Sequence, residues 1–114
     1  MRTVVANLKV VRVPGPTDVY IGRVTSAPGG FTPERGGDGR FGNPTEITTT
    51  ATRSEAIDAF ARYFHERVAT DPGFRAQVLT LRGKRLLCFC SPKPCHGDVI
   101  AAWVNNQDYQ DQQD

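Results

Sequence analysis

Leu86–Val104 reads LLCFCSPKPCHGDVIAAWV and holds all three cysteines and one of the two histidines of the chain between positions 88 and 96. The apolar run Leu86-Leu87-Cys88-Phe89-Cys90 reads as a short buried strand. Ser91-Pro92-Lys93-Pro94 cannot continue it, and Val99, Ile100, Trp103 and Val104 then recur at helical spacing. The segment is therefore a strand–loop–helix corner, with Cys95, His96, Gly97 and Asp98 near the start of the helix. A helix start offers unpaired N–H groups and a partial positive charge, which favour a thiolate or a bound anion.

Outward from this corner, the chain alternates strands and helices. Residues 3–13, TVVANLKVVRV, are rich in β-branched residues and end at Pro14-Gly15-Pro16, and DVYIGR at 18–23 reads as a second strand. Residues 24–40 form a long loop rich in Gly and Pro, expected to be flexible, either partly disordered or closing over a ligand. Thr52-x-x-Glu55 resembles a capping box, and Ile57, Phe60, Phe64 and Val68 form the stripe of a first helix. Asp71-Pro72 suits an N-cap and first helical position, opening a second helix through Phe74, Val78, Leu79 and Leu81, with Gly83 as its stop. A strand at 85–90 and a last helix from about Pro94 to Asn105 follow. The expected fold is a small single-domain α/β sandwich over 1–106, a mainly parallel sheet flanked by three helices. Residues 107–114, QDYQDQQD, are expected to be a frayed polar tail.

Composition bounds the function loosely. The chain has 114 residues, enough for one core, with 39% hydrophobic and 23% charged residues, the balance of a soluble globular domain. A formal charge of +2 is too small to imply nucleic-acid binding by itself. No signal peptide, spanning apolar run or lipidation motif is visible, so no membrane role is expected. An odd cysteine count without an export signal suggests reduced thiols in a cytoplasm.

Four stretches together carry a resemblance: VYIGR at 19–23, FGNP at 41–44, the helix after Arg53, and LRGKRLLCFCSPKPCHGDVI at 81–100. They resemble the domain-of-unknown-function 4326 family, small proteins common in bacteriophages and also found in bacteria. The chain departs from that pattern at Thr45, where an aromatic is usual, and in its longer loop at 24–40. The corner is also similar to the domain-of-unknown-function 488 family, in which an acid stands at the position of Cys90. Neither resemblance implies an established reaction.

Three readings are open for the corner. Cys88, Cys90, Cys95 and His96 are the residue types of a zinc site, but their spacing does not match two separated knuckles, so zinc is not favoured. The strand face carrying Cys88 is expected to point away from the helix start. Alternatively Cys95 is a reactive thiol activated by the helix start and Lys93, with His96 as general acid or base, Asp98 orienting it and Cys90 as a supporting thiol. In that reading Cys95 reacts first and Cys88 last. In the third, the cysteines are small buried hydrophobes and Asp98 is a first-turn acid.

Arg23 ends the second strand beside Gly22 and can hold a phosphate or carboxylate on the rim that bears Cys90 and Cys95, or pair with Asp18, Glu46 or Asp98. Arg53 opposes the dipole of its helix, which suggests an anionic contact. Asn43 is either a turn residue or an amide donor to a ligand, and the Gly97 amide is expected to face the same pocket. His65 reads as a surface residue. The leading expectation is an enzyme or binding protein for an anionic, nucleotide-like small molecule at this rim, a Cys/His-dependent transferase or hydrolase if catalytic. The competing one is a non-catalytic phage or mobile-element module that binds a host protein or nucleic acid, its cysteine cluster structural.

Overall fold

In a computed structural model, residues 2–11, 14–23, 27–42, 53–88 and 95–113 are described, with side chains through 107. The apolar run after Lys84 forms the middle strand of a three-stranded parallel sheet. Strand β1 spans Val4–Asn7, β2 spans Val19–Tyr20 and β3 spans Arg85–Cys88, in the order β1-β3-β2. Val5 and Val19 both register with Leu86, Ala6 and Tyr20 with Leu87, and Asn7 with Cys88. Leu86, Leu87 and Cys88 are all buried, as a central parallel strand requires. The expected strands at 3–13 and 18–23 are shorter: the chain turns after Asn7, whose carbonyl accepts the Val10 and Val11 N–H groups, and β2 covers Val19–Tyr20 alone.

Strand alternation sorts the two faces. Val19, Ile21, Leu86 and Cys88 share one apolar cluster with Phe60, Phe64, Phe74, Val78, Ile100 and Val104 of the helices. Helix α1 spans Arg53–Thr70, α2 Pro72–Leu79 and α3 His96–Gln113. The α1 stripe follows the helical period: Phe60, Phe64 and Val68 are buried one turn apart. Phe64 meets Phe60 at 5.6 Å, Phe74 at 6.0 Å and Trp103 at 6.0 Å between ring centroids. Asp71 caps α2 as expected, accepting the Phe74 N–H at 3.0 Å ahead of Pro72. Thr52, the other expected cap, lies outside the described residues. Helix α3 runs through Gln113, and its last turns contain no Gly or Pro to break it.

Among the described residues, the opposite face is covered by turns and not by an α-helix. Tyr20 and Leu87 are fully buried there, with Phe31 at 6.0 Å from the Tyr20 ring. Residues 27–42 are a chain of hydrogen-bonded turns around a 3-10 turn at Pro33–Arg35. Arg35 clamps them: Nε donates to the Asp18 carbonyl at 3.0 Å and Nη2 to that of Gly15 at 2.8 Å, with the guanidinium 4.8 Å from the Phe31 ring. Gly36 adopts φ +85° against the Tyr20 carbonyl, where a side chain would collide with that oxygen. Phe41 closes the segment at 2% exposure.

Two polar staples tie the amino end of the sheet. Buried Asp18 binds Arg85 at 2.6 Å and 3.2 Å and accepts the Gly15 N–H at 2.7 Å. The Thr3 hydroxyl donates to the Leu81 carbonyl at 2.9 Å and accepts the Gly83 N–H at 3.0 Å. Asn105 of α3 grips the Thr3 backbone from both sides, its Oδ1 accepting the N–H at 2.8 Å and its Nδ2 donating to the carbonyl at 3.0 Å.

Candidate functional site at the carboxyl rim

The parallel register brings the carboxyl ends of all three strands to one rim. Helix α3 begins at this rim, and α1 runs beside it in the same sense: Phe60 meets His96 at 5.0 Å and, one turn later, Phe64 meets Trp103. Both helices therefore start toward the rim, where open α/β sheets bind ligands.

Cys95 is the cap of α3. Its N–H donates to Asp98 Oδ2 at 3.1 Å, while the Asp98 N–H donates to the Cys95 carbonyl at 3.0 Å. This is half of a capping box, with a thiol where Ser or Thr is usual. Gly97 packs close to the same residue: a Cβ on it would lie 3.3 Å from the Cys95 sulfur. Cys95 is 3% exposed and its Sγ lies 3.5 Å from that of Cys88. Cys88 thus faces the helix start, contrary to the expectation from its strand face, because α3 packs on that same face.

The electrostatics differ from the expected activated thiol. The hydrogen bond with Cys88 and the burial of the site push the Cys95 thiol up, outweighing the Gly97 amide that favours a thiolate. Burial lowers the pKa of His96 and favours the neutral imidazole, against the carbonyls of Ile21 and Phe41, which favour the cation. Its Nε2 lies 2.6 Å from the Ile21 carbonyl, which requires Nε2–H as donor, and its ring edge rests on Phe60. Both groups expected to do chemistry are thus engaged inward.

Gly97 is a packing residue. A Cβ there would lie 2.5 Å from Ile21 Cδ1 and 3.3 Å from Val5 Cγ1, so the glycine lets α3 approach the sheet. Gly97→Ala should cost about 1–2 kcal/mol, since Ile21 and Val5 must shift in a packed core; the urea midpoint of the variant measures it.

Arg23 follows β2 on the rim and is half-buried, and its charge also lowers the pKa of His96. Its carbonyl accepts the Tyr20 hydroxyl at 2.8 Å. A side chain on Gly22 would collide with that Tyr20 ring. Asp18, one expected partner of Arg23, is taken by Arg85 at the other end of the sheet. Arg53 is the first residue of α1, Asp98 is exposed, and His65 is exposed as expected. Asn43, Cys90 and Lys93 lie outside the described residues. A groove of about 330 Å³ between β1 and α3, bordered by Arg2, Val5, Asp98 and Asn105, was not legible in the sequence. No group of three or more His, Cys, Asp or Glu side chains is placed to hold a metal among the described residues. None of their helices is long and apolar enough to cross a membrane.

The packed corner, with its Cys-His-Gly-Asp helix start beside the Arg23 rim, lies within a match to one family over residues 6–106. The chain belongs to the DUF4326 family, a domain of unknown function. It is also 46% identical over 54 residues to an uncharacterised 12.4 kDa protein of the nrdA-td intergenic region of Enterobacteria phage T4. That alignment covers 47% of this chain and 50% of the phage protein, so the shared stretch spans about half of each. No solved structure matches this DUF4326 chain.

Proposed function

We propose that this DUF4326 protein binds an anionic small molecule of nucleotide-like chemistry at the carboxyl rim, without using its cysteines as nucleophiles. Arg23 supplies the main anion contact, Arg53 adds charge from the start of α1, and Asn43 donates its side-chain amide to the ligand. The observation that carries this reading is the contrast at the rim. The Cys95 sulfur is buried against Cys88 and the His96 Nε2 is held at the Ile21 carbonyl, whereas Arg23, three residues beyond β2, keeps part of its surface exposed. Arginine suits this role because its planar fork matches phosphate or carboxylate oxygens in pairs.

Thermal melts test the proposal with phosphate, sulfate and a nucleoside diphosphate. Each ligand that binds should stabilise the native state, by about 2.7 kcal/mol at a hundredfold excess over Kd. Arg23→Ala should abolish the shift and leave the ligand-free melt close to wild type, because a half-exposed rim arginine adds little to stability. Equal stabilisation of both proteins would place the ligand elsewhere.

A further inference from the structure

The chain that leaves β2 is pinned from two sides, and one of the pins is titratable. The Ile21 N–H donates to the Leu87 carbonyl at 3.0 Å, and the Ile21 carbonyl accepts His96 Nε2–H at 2.6 Å. Two residues on, the Arg23 carbonyl accepts the Tyr20 hydroxyl at 2.8 Å. His96 opens α3. These hydrogen bonds therefore hold the backbone of Arg23 at a fixed place beside the imidazole.

The charged groups that act on the imidazole are Arg23, beyond β2, and Asp98, on its own helix. Helix α1 contributes the Phe60 ring, 5.0 Å away, and the 27–42 turns contribute the Phe41 carbonyl. Asp98 and the carbonyls of Ile21 and Phe41 favour an imidazolium, whereas burial and the Arg23 charge oppose it. An anion on Arg23 cancels that opposing charge and so favours an added proton. Nε2 already carries its hydrogen toward Ile21, so the proton enters from solvent at Nδ1.

We propose, building on the anion-binding reading above, that the carboxyl rim binds an anion and a proton cooperatively, with His96 the group that takes up the proton. His96 is a positioning residue here: it holds the chain that bears Arg23 through the Ile21 carbonyl and needs no contact with the ligand. Anion affinity is highest at low pH and falls as pH rises through the His96 midpoint of the anion-bound protein. By reciprocity, the bound anion raises that midpoint by the same factor.

Sulfate is the probe, since it keeps its charge across the range in which histidine titrates. NMR titration of both histidine rings in the full-length protein, at constant ionic strength, should show sulfate raising the His96 midpoint while that of exposed His65 stays in place. A rise of about 0.5 in pH corresponds to about threefold tighter sulfate binding to the protonated protein. Arg23→Ala should raise the His96 midpoint without sulfate and remove its response to sulfate. His96→Gln keeps an N–H donor for Ile21 and cannot titrate, so its sulfate affinity should be flat over the same pH range; if it fails to fold, the wild-type midpoints decide. Sulfate binding that leaves the His96 midpoint in place, or moves that of His65 equally, overturns the coupling alone. Absence of sulfate binding at every pH overturns the coupling and the anion-binding reading together.

Discussion

Phe64→Ala should lower the unfolding free energy by about 4 kcal/mol, which is a large share of the stability of a domain this size. Phe64 has no exposed surface and touches aromatic rings from three helices: Phe60 on its own helix, Phe74 on α2 and Trp103 on α3. Truncation removes a large buried apolar surface and also leaves a cavity that three differently anchored rings cannot collapse to fill. Phe64→Leu keeps part of that volume and should cost less than half as much. Urea denaturation of both variants tests the ordering; an alanine variant within 1 kcal/mol of wild type would mean that α1 is not the centre of the core.

Asp18→Ala should cost about 2–3 kcal/mol, because it leaves the Gly15 N–H and the Arg85 guanidinium without their shared acceptor. The same residue predicts a pH dependence. The Arg85 hydrogen bonds hold the Asp18 carboxyl below its ordinary range, against the opposing effect of its burial. With the folded pKa depressed, the unfolded chain binds more protons across the interval between the two values, so stability rises with pH there. The contribution is fully present above the unfolded value of about 3.9 and is lost as pH falls through the lowered folded value. Asp18→Asn should flatten the acid limb of a stability–pH curve without abolishing it. Asp38, held low by Arg40, and Asp71, held low by the Phe74 N–H, add to the same limb. An unchanged acid limb in Asp18→Asn would remove the ion pair from the account.

The elements that the sequence makes legible are those whose signal is local. The Phe60–Phe64–Val68 spacing, the Asp71-Pro72 start and the apolar 85–88 run each encode their own conformation within a few residues. The site is less legible because its geometry depends on which elements share a face. Cys88 and Cys95 are seven residues apart, but the direction of the Cys88 side chain has meaning only once α3 is known to lie on that face. The thiol environment follows from the same packing. A helix start alone argues for a lowered pKa, and a second buried sulfur at 3.5 Å reverses the sign. The expectation of flexibility at 24–40 rests on its Gly and Pro content, which is silent on the contacts made by its described part, 27–42. Those contacts run from Arg35 to Gly15 and Asp18, residues that no periodicity connects to it.

The sequence by itself determined the α/β class, the central buried strand, the three helices and the position of the strand–loop–helix corner, all consequences of hydrophobic period and turn chemistry over short spans. Only the tertiary structure decided the strand order, the faces of the sheet and the partners of the corner residues. The staples Thr3–Asn105 and Asp18–Arg85 join residues 102 and 67 positions apart. Their energy depends on burial and donor–acceptor geometry, and neither exists until the sheet has closed and the helices have packed onto it.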